Sequence, residues 1–292
     1  MTSTYNLDEL IDKLEQKFSG YKIYNPNFDN IPENLNGLII LSTGEQHITE
    51  ATIDKLISKE LDVVRSINNN IKTSKILTVT DIIRLIHMDD FRGKNRKCAE
   101  IHDGFLRNIA IEYAKKGYIS IIGFNIMRPF NINNINYIII GGPDLILIKD
   151  NTYTIVEVKT TEINENKPLS IFLASSYMIL SKGKTQAALY ALSLYQTIGN
   201  NIYVSVDLAI YSKENSNLMY KNIEHHYASS LLRELNKSEI RNLLRATPKM
   251  YILKTNSGKD INYVINITAK FTHGFYTHIT KLLSKTLNMR KI

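Results

Sequence analysis

Apolar positions recur every three to four residues over 7–18, 49–69 and 99–116, whereas 144–148 and 153–160 are short β-rich runs on either side of a turn. The first pattern lines one face of a helix and the second reads as strand. On this basis residues 7–18 form a helix, followed by a polar stretch over 25–36 with Pro26 and Pro32, a short strand over 37–41, and a helix over 49–69 opening with an acidic first turn. The polar run 68–75 reads as a linker, so a soft boundary separates a mostly helical segment, 1–75, from the remainder, 76–292.

Past that boundary Thr80-Asp81 can cap a short helix over 82–87, a basic stretch covers 92–97, and a long helix over 99–116 ends at Gly117. Strands are expected over 119–127, 144–148, 153–160, 204–211, 218–223 and 261–267, and helices over 185–197, 229–245 and 271–287. Mixed strands and helices with a hairpin inside the sheet give an α/β fold with a mixed sheet flanked by helices; no internal repeat is visible.

Composition narrows the partners. A formal charge of +8 favours an anionic partner, nucleic acid before an acidic membrane surface. Cys98 stands alone, so no internal disulfide, four-cysteine zinc site or four-thiolate iron–sulfur cluster can be built. The first ten residues lack the basic-then-apolar pattern of a leader, and apolar runs such as 137–140 fall far short of a membrane span. A soluble, cytoplasmic protein without a membrane partner is expected.

The chemistry concentrates in one hairpin. Gly141-Gly142-Pro143-Asp144 leads into four apolar residues, Asp150-Asn151 supplies turn chemistry, and the return strand carries Glu157-Val158-Lys159. A loop centred on Asp150-Asn151 pairs Ile148 with Tyr153, Ile146 with Ile155 and Asp144 with Glu157. Opposed residues share a face, and Lys159 joins Glu157 by the period of two. Two opposed carboxylates repel; a divalent cation relieves this and gains hard oxygen ligands. Lys159 could orient or deprotonate a metal-bound water, or donate to phosphate oxygens. An E-x-K triplet is also compatible with a plain surface ion pair. The apolar flanks weigh against that, because burying Asp, Glu and Lys is costly unless they compensate one another.

At these residues the chain resembles the RecB-like branch of the PD-(D/E)xK nucleases, most of all the CRISPR-associated exonucleases and their archaeal and viral relatives. The resemblance spans about residues 76–247 and rests on the order of short motifs: Thr78-Val79-Thr80-Asp81 at a helix entry, His102 on the next long helix, Pro143-Asp144, Glu157-Val158-Lys159, and Gln186 with Tyr190 four residues later. It implies a restriction-endonuclease-like core. It also implies Mg²⁺ or Mn²⁺ held by His102, Asp144, Glu157 and the Val158 carbonyl, with Asp144, Glu157 and Lys159 as the catalytic set. Gln186 and Tyr190 would contact substrate or the active-site lysine, and Lys182 and Lys184, just before them, lie close enough to hold phosphates. His102 shares a helical face with Phe105, Leu106, Ile109 and Tyr113, which points it inward.

One departure stands out. Many of the CRISPR-associated relatives carry an iron–sulfur cluster on one early and three late cysteines; here the early position falls near Met88 and no cysteine follows Thr247. A cluster-free DNA exonuclease acting on single strands or ends is the expectation. Its rivals are an endonuclease of repair or restriction type on the same fold and a DNA-binding scaffold without catalysis. Homo-oligomers or other nucleic-acid-processing proteins are conceivable partners.

Overall fold

The structure, a computed structural model, describes residues 6–25, 30–32, 35–70, 75–87, 96–132, 134–164, 166–199, 201–211, 218–237, 245–254 and 261–289. Pro26, the linker core 71–74, the basic residues 92–95, Met88 and the expected helical turns over 238–244 lie outside the described residues.

The central layer is an eight-stranded mixed sheet, ordered β1(Lys22–Tyr24), β2(Ile39–Leu41), β4(Ile119–Ile122), β7(Leu145–Lys149), β8(Thr152–Glu162), β9(Ile202–Tyr211), β11(Ile261–Lys270), β10(Pro248–Lys254). The pairs β1/β2 and β8/β9 are parallel and the rest antiparallel. A smaller sheet holds β3(Lys75–Thr78), β6(Ile135–Gly141) and β5(Ile126–Ile132). The helices are α1(Leu7–Ser19), α2(Gln46–Asn70), α3(Val79–His87), α4(Arg96–Lys115), α5(Leu169–Ile198), α6(Leu218–Asn236) and α7(His273–Met289). None of the helices in the described residues is long and apolar enough to cross a membrane.

The β7–β8 hairpin sets the geometry. Asp150 and Asn151 both take positive φ, 49° and 57°, between the paired Lys149 and Thr152, the two-residue turn whose twist suits a hairpin. Ile148 faces Tyr153 and Ile146 faces Ile155, as the turn chemistry requires. Alternate residues then serve opposite layers. Ile146, Ile148 and Ile155 pack with α5 residues such as Ala187 and Ala191, whereas Leu145, Leu147, Val156 and Val158 pack with α4 through Phe105, Leu106 and Ile109. A strand buried on both faces reads as an unbroken apolar run, which is why 144–148 and 153–158 carry so few polar residues.

Several elements depart from the sequence pattern. Residues 119–127 are not one strand: Gly123, at φ +79°, turns the chain, and a Cβ there would stand 1.9 Å from the Gly37 carbonyl oxygen. The second half leaves the main sheet and becomes β5. The expected strand over 218–223 is the start of α6, whose buried Ala228, Leu231 and Leu235 keep helical spacing. The expected helix over 185–197 is the second half of the 30-residue α5. Its Gly183 allows close approach to the sheet: a Cβ there would meet Val206 Cγ1 at 2.8 Å. Helix α2 begins at Gln46 and so has no acidic residue in its first turn. The cap of α3 is Thr78, whose hydroxyl accepts from the Asp81 amide while Asp81 Oδ2 accepts from the Thr78 amide. Residues before the soft boundary at 75 supply β1 and β2 to the main sheet, and Leu14, Phe18, Ile53 and Val64 to its core.

On the α4 side of the sheet lies a buried carboxyl, Asp207. Asn266 Nδ2 donates to its Oδ1 and the Tyr251 hydroxyl to its Oδ2, at 3.1 Å for the latter. Burial pushes its pKa up to about 6, and these two donors only partly offset that. A carboxyl raised in the folded state stabilises the fold while protonated, and that contribution is lost as pH climbs from the ordinary value of about 4 through about 6. The isosteric Asp207→Asn keeps an acceptor for Asn266 and removes the titration. Urea unfolding between about pH 4 and pH 7.5 should show the wild type losing up to about 3 kcal/mol relative to the variant, most of it below about pH 6. Parallel pH curves for the two proteins would show that the Asp207 carboxyl titrates normally.

Candidate metal centre and active site

The candidate site forms where β7 stops short. Pairing of β7 with β8 ends at Leu145↔Val156, while β8 runs on to Glu162. Val158, two residues further, therefore finds side-chain partners for its backbone. Its N–H donates to Asp144 Oδ2 at 2.8 Å, and its carbonyl oxygen lies 3.1 Å from His102 Nε2. Asp144 sits at the register position opposite Glu157, one step beyond the last strand pair. His102 comes from the opposite layer, carried by α4, and its Nε2 is also 3.5 Å from Asp144 Oδ2. Its other ring nitrogen, Nδ1, faces the Asp103 carboxylate at 3.3 Å.

Glu157 is 1% exposed, in the middle of β8 beside Val206 of β9. Lys159 Nζ donates to its Oε1 at 2.7 Å and to Gln186 Oε1 at 3.1 Å. Gln186 Nε2 in turn stands 3.4 Å from the Tyr190 hydroxyl. The other Glu157 oxygen, Oε2, is buried with no hydrogen-bond partner among the described residues. Gly183, one turn before Gln186, lets α5 come close enough for this chain of contacts; a Cβ there would also press on Lys159 Cγ at 3.3 Å.

Electrostatics separate the two carboxyls. Burial raises the pKa of Glu157, the neighbouring Asp144 carboxylate raises it further, and the Lys159 ammonium only partly counters them. Burial acts on Asp144 in the same direction, but His102, the Lys159 charge and the Val158 N–H outweigh it and hold that carboxyl below its usual range. Burial disfavours the charged forms of Lys159 and His102; their carboxylate partners win in both cases and raise the pKa. The resting site thus keeps one carboxylate firmly ionised and the other ready to hold a proton.

These groups line a cavity of about 350 Å³ together with Thr80, Arg84 and Lys182. Of the nine residues singled out from the sequence, His102, Asp144, Glu157, Val158, Lys159, Lys182 and Gln186 line it. Tyr190 reaches the set through Gln186 and lines a neighbouring chamber. Lys184 is not in the lining: residues two apart on a helix point to different sides, and its Nζ lies 5.5 Å from the ring centroid of Phe275 on α7. Burial, with Arg245 nearby, lowers its pKa to about 8. Thr80 and Arg84 also line the cavity, although no motif singles them out for it; their signal is the spacing of four along α3, which puts both on one face.

The donor set suits a hard divalent cation: one imidazole, one backbone carbonyl and two carboxylates, of which one oxygen is buried without a partner. His102 Nε2 already lies 3.1 Å from the Val158 carbonyl oxygen and 3.5 Å from Asp144 Oδ2, about the separation of adjacent ligands around an ion that binds each at roughly 2.1 Å. Among the described residues no three His, Cys, Asp or Glu side chains are gathered as a ready-made metal group. The third side chain, Glu157, is turned toward Lys159 instead.

The architecture is therefore α/β, with a large mixed sheet flanked by helices and a cavity beside β8, past the end of its pairing with β7. No protein-family model matches the chain. No curated protein matches it either. Among solved structures it is similar to the crystal structure of SSO0001 at 16% identity over 68% of this chain and 93% of that one. The TM-score is 0.29, too loose a superposition to carry an argument.

Proposed function

We propose that this protein is a metal-dependent deoxyribonuclease of the PD-(D/E)xK type, hydrolysing phosphodiester bonds in single strands or at DNA ends. The observation that carries this reading is the convergence of His102 Nε2, Asp144 Oδ2 and the Val158 carbonyl beside a buried, partnerless Glu157 oxygen and the Lys159 ammonium. His102, Asp144, Glu157 and the Val158 carbonyl would hold Mg²⁺ or Mn²⁺. When bound, the cation supplies an acidified water and stabilises charge on the phosphate oxygens.

The chain's own residues do the positioning. Lys159, held by Glu157 and Gln186, places a positive charge where the attacking water and a non-bridging phosphate oxygen meet. Arg84 and Lys182 line the same cavity and favour a phosphodiester in it. A recess of about 350 Å³ has room for a nucleotide rather than a duplex, which supports action on single strands or ends. The iron–sulfur cluster of many CRISPR-associated relatives has no place in this reading, because the chain holds only Cys98.

Purified protein incubated with Mn²⁺ and end-labelled DNA, single- and double-stranded, linear and circular, tests this directly. Cleavage of linear single strands with circles spared is expected. Cut circles would favour the endonuclease, and intact substrates in every lane the non-catalytic scaffold.

A further inference from the structure

A second chamber adjoins the catalytic cavity, and the catalytic constellation makes no use of it. It encloses about 510 Å³ and is walled on one side by α1 and on the other by the Gly141-Gly142 segment that leads to Asp144. Thr80 lines both spaces, and Tyr190 closes this one while Gln186, its hydrogen-bond partner, lines the other. The two glycines keep the partition thin. A Cβ on Gly142 would stand 2.6 Å from the Phe124 carbonyl oxygen, and one on Gly141 would press on the Tyr190 ring at 3.0 Å.

The lining has a definite chemistry. Leu10, Leu14, Ile126 and Met127 give it apolar walls, Lys13 and Lys17 bring two amines, and none of the described residues lining it is a carboxylate. Lys17 is half-buried, makes no ion pair among the described residues, and donates to a neutral acceptor, Asn125 Oδ1, at 2.5 Å. Burial pushes its pKa down, so an anion brought beside it would be favoured over the present arrangement. Lys13 is paired with Glu9 on the exposed face of α1, a solvent-screened contact easily exchanged for a phosphate. An apolar recess with two cations and no anion fits a ligand with a flat apolar part and a negative group.

We infer that this chamber receives the nucleotide next to the scissile one on an unpaired strand, its base against the apolar walls and its phosphate between Lys13 and Lys17. The inference rests on the nuclease reading for the identity of the strand and gives α1, outside the span of the family resemblance, a substrate-binding role. A chamber of this volume takes an unstacked nucleotide and excludes a base-paired one.

The test is binding, read without cleavage. A 5′-fluorescein-labelled pentadeoxythymidylate is titrated by anisotropy in EDTA with wild type, Lys17→Glu, Lys13→Ala and the control Lys237→Ala, whose residue is outside the chamber lining. Thermal unfolding is followed for each, and Lys13, being exposed, decides the matter if Lys17→Glu fails to fold. Lys17→Glu should weaken binding by about tenfold or more and Lys13→Ala by severalfold, each with a salt slope smaller by about 0.7 per lost phosphate contact, and Lys237→Ala by little. Equal losses in all three variants, or none, overturn the chamber. Wild-type hydrolysis of bis(p-nitrophenyl) phosphate with Mn²⁺ reports the catalytic cavity separately. Chamber-dependent binding without that hydrolysis leaves the chamber standing and removes the nuclease reading; hydrolysis with chamber-independent binding does the reverse.

Discussion

Lys159→Ala is expected to lower DNA cleavage by about a hundred- to ten-thousand-fold, the range for removing a positioned acid–base or charge-stabilising group, while Mn²⁺ and DNA still bind. The side chain spans two partners, Glu157 Oε1 and Gln186 Oε1, so its amine is fixed in place rather than waving from a surface. DNA affinity changes little, because one charge among many alters the salt slope by about one unit at most. Glu157→Ala behaves differently: it removes a proposed cation ligand, so calorimetric titration with Mn²⁺ should show the affinity itself collapse. Removing Lys159 leaves both Glu157 oxygens without a partner and raises its carboxyl pKa further, so the comparison is made at saturating Mn²⁺. Wild-type cleavage by Lys159→Ala would make the Glu–Lys contact structural and the scaffold reading the better one.

The largest effect on stability is expected outside the cavity lining, at Arg128 of β5 and Glu60 of α2. Both are almost completely buried, and Arg128 binds Glu60 through both terminal nitrogens. The same guanidinium donates to Thr197 of α5 and to the Met127 carbonyl, while Glu60 accepts from the Met127 amide at 3.3 Å. One ion pair thus ties α2, the small sheet and the end of α5 together. Glu60→Ala or Arg128→Ala leaves a buried charge unpaired and should cost about 3–5 kcal/mol. Replacing both, as Glu60→Leu with Arg128→Met, should recover most of that, because a desolvated pair is often no more stable than apolar groups of its size. Urea unfolding of the two single variants and the double variant measures this. A single-variant loss below about 1 kcal/mol would mean that water reaches the pair as it does at a surface.

That pair also marks where the amino-acid sequence stops being informative. The hairpin could be read from residue order alone, because its turn, its register and its alternation are local: Asp150-Asn151 sets the loop, and the period of two then brings Asp144 opposite Glu157 and Lys159 onto the same face. The inward face of α4 with His102, and the four-residue step from Gln186 to Tyr190, follow from helical spacing in the same way. Fold class was legible for a similar reason, since mixed periodicities leave few layer arrangements.

What local pattern could not settle were choices made by long-range packing. Residues 218–223 read as a short strand, yet the segment 218–236 is a helix because Ala228, Leu231 and Leu235 need one face against the sheet. Gly123 breaks a strand because of a carbonyl at Gly37, 86 positions away. Gly183 falls before the expected helix over 185–197 and is instead inside α5, the contact that seats it on β9. Lys182 and Lys184 are equivalent in the sequence; helix rotation puts one at the cavity and the other on Phe275. Residue order determined which chemistry the hairpin carries. Only the tertiary structure decided that the pairing of β7 with β8 goes no further than Leu145↔Val156, leaving the Val158 backbone to His102 and Asp144, because that depends on where the neighbouring strand runs out.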